Sequence, residues 1–172
     1  LRRGIGERGT DSVFRRSFSA LSLGVLVITD NEAPYLEKIE FDRLLKAAIA
    51  YLRDERDTRG FDAAKGWIHT AAHTADLIKF LGRSRHLEAA QQALILKAVS
   101  DKMASVDGVL THGEDERLAR AVLSIAARPD CDIEGFRTWA ASLSPVRSTA
   151  APTAASLAAG QNRKNLVVSL FA

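Results

Sequence analysis

Lys65–Leu81 reads KGWIHTAAHTADLIKFL. Its apolar residues recur at helical spacing, which predicts a helix over Trp67–Leu81, ending near Gly82. At about 100° per residue, His69, His73 and Asp76 fall on one stripe that Phe80 extends. Trp67, Ala71 and Ile78 lie opposite, and Ile68, Ala72, Ala75, Leu77 and Leu81 fill the flanks. A surface helix carries a broad polar face, and this one has none. It is therefore expected inside the protein, packed from several sides, with Trp67 in the core or beneath the preceding loop. A buried charge without a partner is costly or changes protonation state, so the stripe needs partners.

The nearest candidates are Glu55, Asp57 and Arg59, just upstream in YLRDERDTRG. Two chemistries fit. In the first, Arg59 forms a bidentate pair with Asp76, Glu55 or Asp57 accepts a proton from a histidine ring, and the set is a polar lock between two helices. In the second, His69 and His73, four residues apart, both reach one divalent metal ion, with Asp76 or Glu55 completing the site. His112 could add a further ligand if the third and fifth helices adjoin. HTAAH lacks the glutamate that serves as base in HExxH proteases, and no nucleophile is identifiable. Trp67 could alternatively stack on a ligand.

Helical periodicity continues on both sides. Thr10 or Asp11 caps a first helix to about Asp30, with Val13, Phe14, Phe18, Leu21, Val25 and Ile28 inward. A second spans roughly Phe41–Asp57, closed by Gly60 in a left-handed conformation. A fourth covers Leu87–Met103. Thr111 and Glu114 form a capping box for a fifth that Pro129 stops. Asp132 caps a sixth through Trp139 and Leu143, and Thr153 opens a last one through Leu166 and Leu170. Residues 144–152 are expected to be the loop before it. No strand pattern competes. Pairing the helices in order gives a recurrence of about 40–50 residues, the size of HEAT-type units. The expected fold is all-α: antiparallel helical hairpins stacked as a short HEAT-like α-solenoid, with a compact irregular helical bundle as the alternative. Residues 1–172 are expected to form one all-helical domain. The start at Leu1 is expected of a fragment of a longer chain.

Composition narrows the function. The chain has 24 Lys and Arg against 21 Asp and Glu, and the charges are mixed along it, as in Arg53–Asp57. A nucleic-acid binder concentrates cations on one face, so nucleic acid is not the expected partner. One cysteine, Cys131, excludes an internal disulfide and a cysteine zinc cluster. The apolar run Leu21–Ile28 is too short to span a bilayer and lacks signal-peptide flanks, so no membrane association is expected and the location is expected to be cytoplasmic.

Tyr51–Leu81 resembles a bacterial family known as a domain of unknown function. That family shows an E-x-D-x-R-G-aromatic segment, then G-W-x-H-x-x-A-H and a D-L pair. Glu55, Asp57, Arg59, Gly60, Trp67, His69, His73 and Asp76 match as a set, and Asp11–Leu23 and Gly113–Val122 also look alike. The resemblance implies an all-helical, HEAT-like array and carries no activity, substrate or cofactor. The expected function is binding of a protein or small ligand in a groove lined by Glu55, Asp57, Arg59, Trp67, His69, His73 and Asp76. The alternative is a metal-dependent enzyme, such as a hydrolase, using His69 and His73.

Overall fold

A computed structural model describes residues 1–144 and 151–172. The expected loop at 144–152 therefore lies largely outside the described residues. Among the described residues seven helices follow in order: α1 Ser12–Glu32, α2 Lys38–Asp54, α3 Thr70–Gly82, α4 Ala89–Ser105, α5 Glu114–Ala126, α6 Ile133–Ser142 and α7 Ala154–Phe171. The chain is mostly helical. It also contains an antiparallel hairpin of two-residue strands, β1 Phe61–Asp62 and β2 Gly66–Trp67, pairing Phe61 with Trp67 and Asp62 with Gly66. The expectation of no strand fails here. Gly66 turns the hairpin at φ +85°, a conformation glycine adopts without steric cost.

Local chemistry sets most helix starts. Glu37 with Glu40, and Glu88 with Gln91, form reciprocal capping boxes that open α2 and α4. Asp132 caps α6 by accepting from Gly135 N, and Thr153 caps α7 by accepting from Ser156 N, as the sequence predicts. Thr111 does not cap α5. Gly113 precedes that helix at φ +78°, and the Glu114 carboxylate instead accepts from His112 N at 2.8 Å.

The odd helices neighbour one another in the order α1, α3, α5, α7, and the even ones in the order α2, α4, α6. Side-chain pairings give the directions. Ser17 meets His73, Gly24 meets Leu77 and Asn31 meets Phe80, so α1 and α3 run parallel. Asp76 with Arg117 and Gly82 with Ser124 make α3 and α5 parallel too. Lys38 with Glu88 and Asp42 with Gln91 do the same for α2 and α4.

Helix α3 sits at the centre. Eleven of its residues are buried, from Thr70 through Ile78, then Leu81 and Gly82, as its missing polar face requires. Helix α1 departs from expectation. Its buried stripe is Val13, Arg16, Ser17, Ala20, Gly24 and Val27, while Phe18, Val25 and Leu26 face outward. Small residues let the helices approach closely, and a methyl group at Gly24 would lie 3.5 Å from the Leu77 Cα. By length and composition alone, α1, with 21 residues and a stretch of mean hydropathy 1.3, would suffice to cross a membrane, as the core helices of folded domains also can, whereas the shorter run Leu21–Ile28 would not.

Beneath this frame lies a charged cluster. Arg16 donates from Nε and Nη2 to the two carboxylate oxygens of Glu55, at 2.6 and 3.2 Å, and both side chains are almost fully buried. The buried Lys102 ammonium of α4 donates to Glu55 O at 2.7 Å. Burial pushes the Lys102 pKa down to about 8. Between there and the ordinary 10.5, the unfolded chain holds a proton that the folded chain has released, so this group's contribution to stability rises with pH. Lys102→Met is expected to be neutral or stabilising by up to about 2 kcal/mol below pH 8. The wild type should gain on the variant as pH rises through that window. Urea denaturation across the window checks this, and a difference that does not change with pH contradicts it.

Candidate functional site

The turn between α2 and the hairpin is held from every side. Asp57 Oδ2 accepts from Gly9 N at 2.9 Å, and the two Asp57 carboxylate oxygens accept from Arg59 Nε and Nη2 at 2.8 and 2.7 Å. These bonds outweigh the upward push of burial and hold the Asp57 carboxyl below its ordinary range. Glu55 Oε1 also accepts from Asp57 N, and Thr70 Oγ1 donates to Asp57 O at 2.7 Å, tying the turn to the first residue of α3. Gly60 O accepts from both Ile68 N and His69 N. Gly60 is not left-handed as expected. Its role is close approach, because a methyl group there would lie 2.5 Å from Cγ and 2.7 Å from Cβ of His112.

The expected pair of Arg59 with Asp76 does not form. Asp76 instead pairs with Arg117 of α5 and, at 3.3 Å, with Lys79. Neither Glu55 nor Asp57 meets a histidine among the described residues, since Glu55 belongs to Arg16 and Asp57 to Arg59. The expected lock between the turn and the stripe is absent: Glu55 is tied to α1 and Asp76 to α5. The motif residues therefore divide. Glu55 and Asp57 are buried in the frame, Trp67 and His69 stand at the entry to α3, and His73 and Asp76 are buried within it.

His69 stands just before α3 at φ +47°, the one non-glycine residue with positive φ among those described. A side chain held there signals strain maintained by its surroundings. It is the residue preceding the helix, not part of the stripe, yet its ring still reaches 5.8 Å from that of His73, with the planes perpendicular. Trp67 is half exposed rather than in the core, at 50%. Its ring lies over His69 at 4.2 Å between centroids, edge-on to Phe61 at 4.9 Å and 6.0 Å from His112. Helical spacing alone does not point to Phe61, which the short strand pairing puts beside Trp67. The parallel packing of α3 and α5 brings in His112, as a ring at the edge of the tryptophan.

Each central imidazole uses one nitrogen. His69 Nε2 faces His112 O at 3.1 Å, so that nitrogen donates. The Ser17 hydroxyl donates to Ile68 O, so its oxygen accepts from His73 Nδ1, 2.8 Å away. Nδ1 of His69 and Nε2 of His73 make no hydrogen bond among the described residues. Burial lowers both pKa values, with the neighbouring His69 adding to the effect on His73. Among the described residues, no group of three or more His, Cys, Asp and Glu is arranged to hold a metal.

A histidine held below its ordinary 6.5 binds its proton more readily in the unfolded chain. Its contribution to stability is present above pH 6.5 and is lost as pH falls through the folded value. The melting temperature is expected to drop on acidification below pH 6.5. His73→Asn, which keeps a donor toward Ser17, should make that drop shallower. Thermal melts across this range check it, and equal slopes for the two proteins contradict it.

A family model described as a protein of unknown function (DUF2785) matches residues 1–172. No curated protein and no solved structure matches the chain.

Proposed function

We propose that this chain, which belongs to the DUF2785 family of proteins of unknown function, is a helical binding module that receives a partner protein or small ligand on the platform of Phe61, Trp67, His69 and His112. One observation carries this reading: a half-exposed tryptophan is fixed against a histidine whose backbone is held in the left-handed region. Exposed tryptophans on a rigid frame are characteristic anchors of binding surfaces. The alternation of helices supports the finer architecture as well. Parallel odd helices beside parallel even helices are what a short HEAT-like stack of hairpins produces, and such stacks present extended binding surfaces.

The test is affinity capture from a lysate with wild type and with the Phe61→Ala, Trp67→Ala variant. A partner should be lost with the variant while the melting temperature stays unchanged. Identical capture by both proteins contradicts the platform.

A second reading, a metal-dependent enzyme, is favoured by the two open nitrogens on adjacent rings. Near-stoichiometric metal in untagged protein incubated with Zn²⁺, Mn²⁺ or Ni²⁺, lost in the His69→Ala, His73→Ala variant, supports it. Absence of metal removes it.

A further inference from the structure

The far end of α3 carries a second site, distinct from the platform and about 18 Å from it along the helix axis. A groove of about 850 Å³ opens where the C-terminal ends of the parallel helices α1, α3 and α5 come together. Its lining holds five cations, Lys79, Arg83, Arg85, Arg120 and Arg128, against two carboxylates, Asp30 and Asp130. The surplus of three positive charges equals the net charge of the whole chain, so the rest of the protein is balanced.

Two of the five serve the fold, Arg128 at the C-terminus of α3, where helix ends attract cations, and Arg85 as a tie to the α1–α2 connection. Arg128 donates to Gly82 O, Ser84 O and Leu87 O and pairs with Asp130. Arg85 donates to Leu36 O and pairs with Asp30. The other three cap nothing. Arg83 is exposed, makes no ion pair among the described residues and lies near the Phe80 ring. Arg120 reaches Glu116 only at 3.8 Å, with both side chains well exposed. Lys79 holds Asp76 at 3.3 Å, through an oxygen distinct from the one that Arg117 holds.

The walls between these cations are apolar. Leu123 is 43% exposed, and Pro34, Ala127 and Pro129 also line the groove. Among the described lining residues no aromatic ring is open for a base to stack on, the nearby Phe80 ring being covered by Lys79 at 4.4 Å, and no helix N-terminus offers amide groups to a phosphate. Guanidinium forks around an apolar floor match carboxylates flanking an apolar side chain.

We infer that this groove docks an acidic peptide segment of a partner protein, whose carboxylates pair with Arg83, Arg120 and Lys79 while an apolar residue rests on Leu123. The inference does not depend on the platform, because no residue is shared.

Fluorescence anisotropy of the full chain with a fluorescein-labelled peptide of alternating Glu and Leu, about ten residues long, tests it. Binding should weaken as salt rises, and the Arg83→Glu, Arg120→Glu variant should lose at least about tenfold in affinity with an unchanged melting temperature. If that variant melts earlier, Arg83→Gln, Arg120→Gln takes its place, with a smaller loss in the same direction. A Lys–Leu peptide should not bind. No binding of the acidic peptide, binding indifferent to both variants, or tighter binding of oligo-dT or tripolyphosphate would overturn the inference.

Discussion

Arg16→Met is expected to destabilise the protein by about 3–5 kcal/mol. The substitution leaves the Glu55 carboxylate buried, keeping only the Asp57 N bond beyond the two that Arg16 supplies. Arg16 also donates to Ser12 Oγ and Glu7 O, so the N-terminal coil loses one of its ties to α1 and keeps the Ser12–Glu7 bond. The loss should lower the melting temperature by about 10 °C or more in a chain of this size. Removing both charges, as Arg16→Met with Glu55→Leu, should recover much of the loss, because an apolar pair needs no partner. Urea denaturation of the four proteins measures the coupling. A single-variant cost below about 0.5 kcal/mol would mean that the pair is not desolvated.

Gly60→Ala comes next in size, at about 1–3 kcal/mol. The added methyl group meets His112 at the root of its side chain, where rotation of the ring gives no relief. Either His112 shifts, with the entry to α5, or the Gly60 carbonyl moves away from Ile68 N and His69 N. Both routes disturb the stack over Trp67, so the near-ultraviolet circular dichroism of the tryptophan should change along with the melting temperature. His112→Gly in the same chain should relieve much of the cost. A Gly60→Ala variant with wild-type stability and spectrum contradicts the close approach.

The helices, the caps at Asp132 and Thr153, and the burial of α3 were legible in the sequence, because periodicity and capping act within a few residues. The partners were not. Glu55 reaches 39 residues back to Arg16, and Asp76 reaches 41 residues on to Arg117. The second distance follows from α3 lying beside α5, and the first from the turn after α2 reaching α1; local pattern encodes neither. Arg16 did leave a trace, since it sits on the same stripe as Val13, Ala20 and Val27, where a solvated arginine does not belong. The outward turn of Trp67 was hidden because two-residue strands are too short to show alternation. Helical spacing thus carried over a segment that is extended. Phe18 and Val25, expected inward, face outward for a different reason: close approach favours small residues over large ones at the α1–α3 contact.

The acids and arginine of the Glu55–Gly60 turn hold the fold, and the two imidazoles above it each keep one nitrogen open. Long-range ¹H–¹⁵N correlation of the histidine side chains at about pH 7 reads this directly. The expected result is two neutral rings of opposite tautomer, His73 protonated on Nδ1 toward Ser17 and His69 on Nε2 toward the His112 carbonyl. A charged His73, or the same tautomer on both rings, would contradict it.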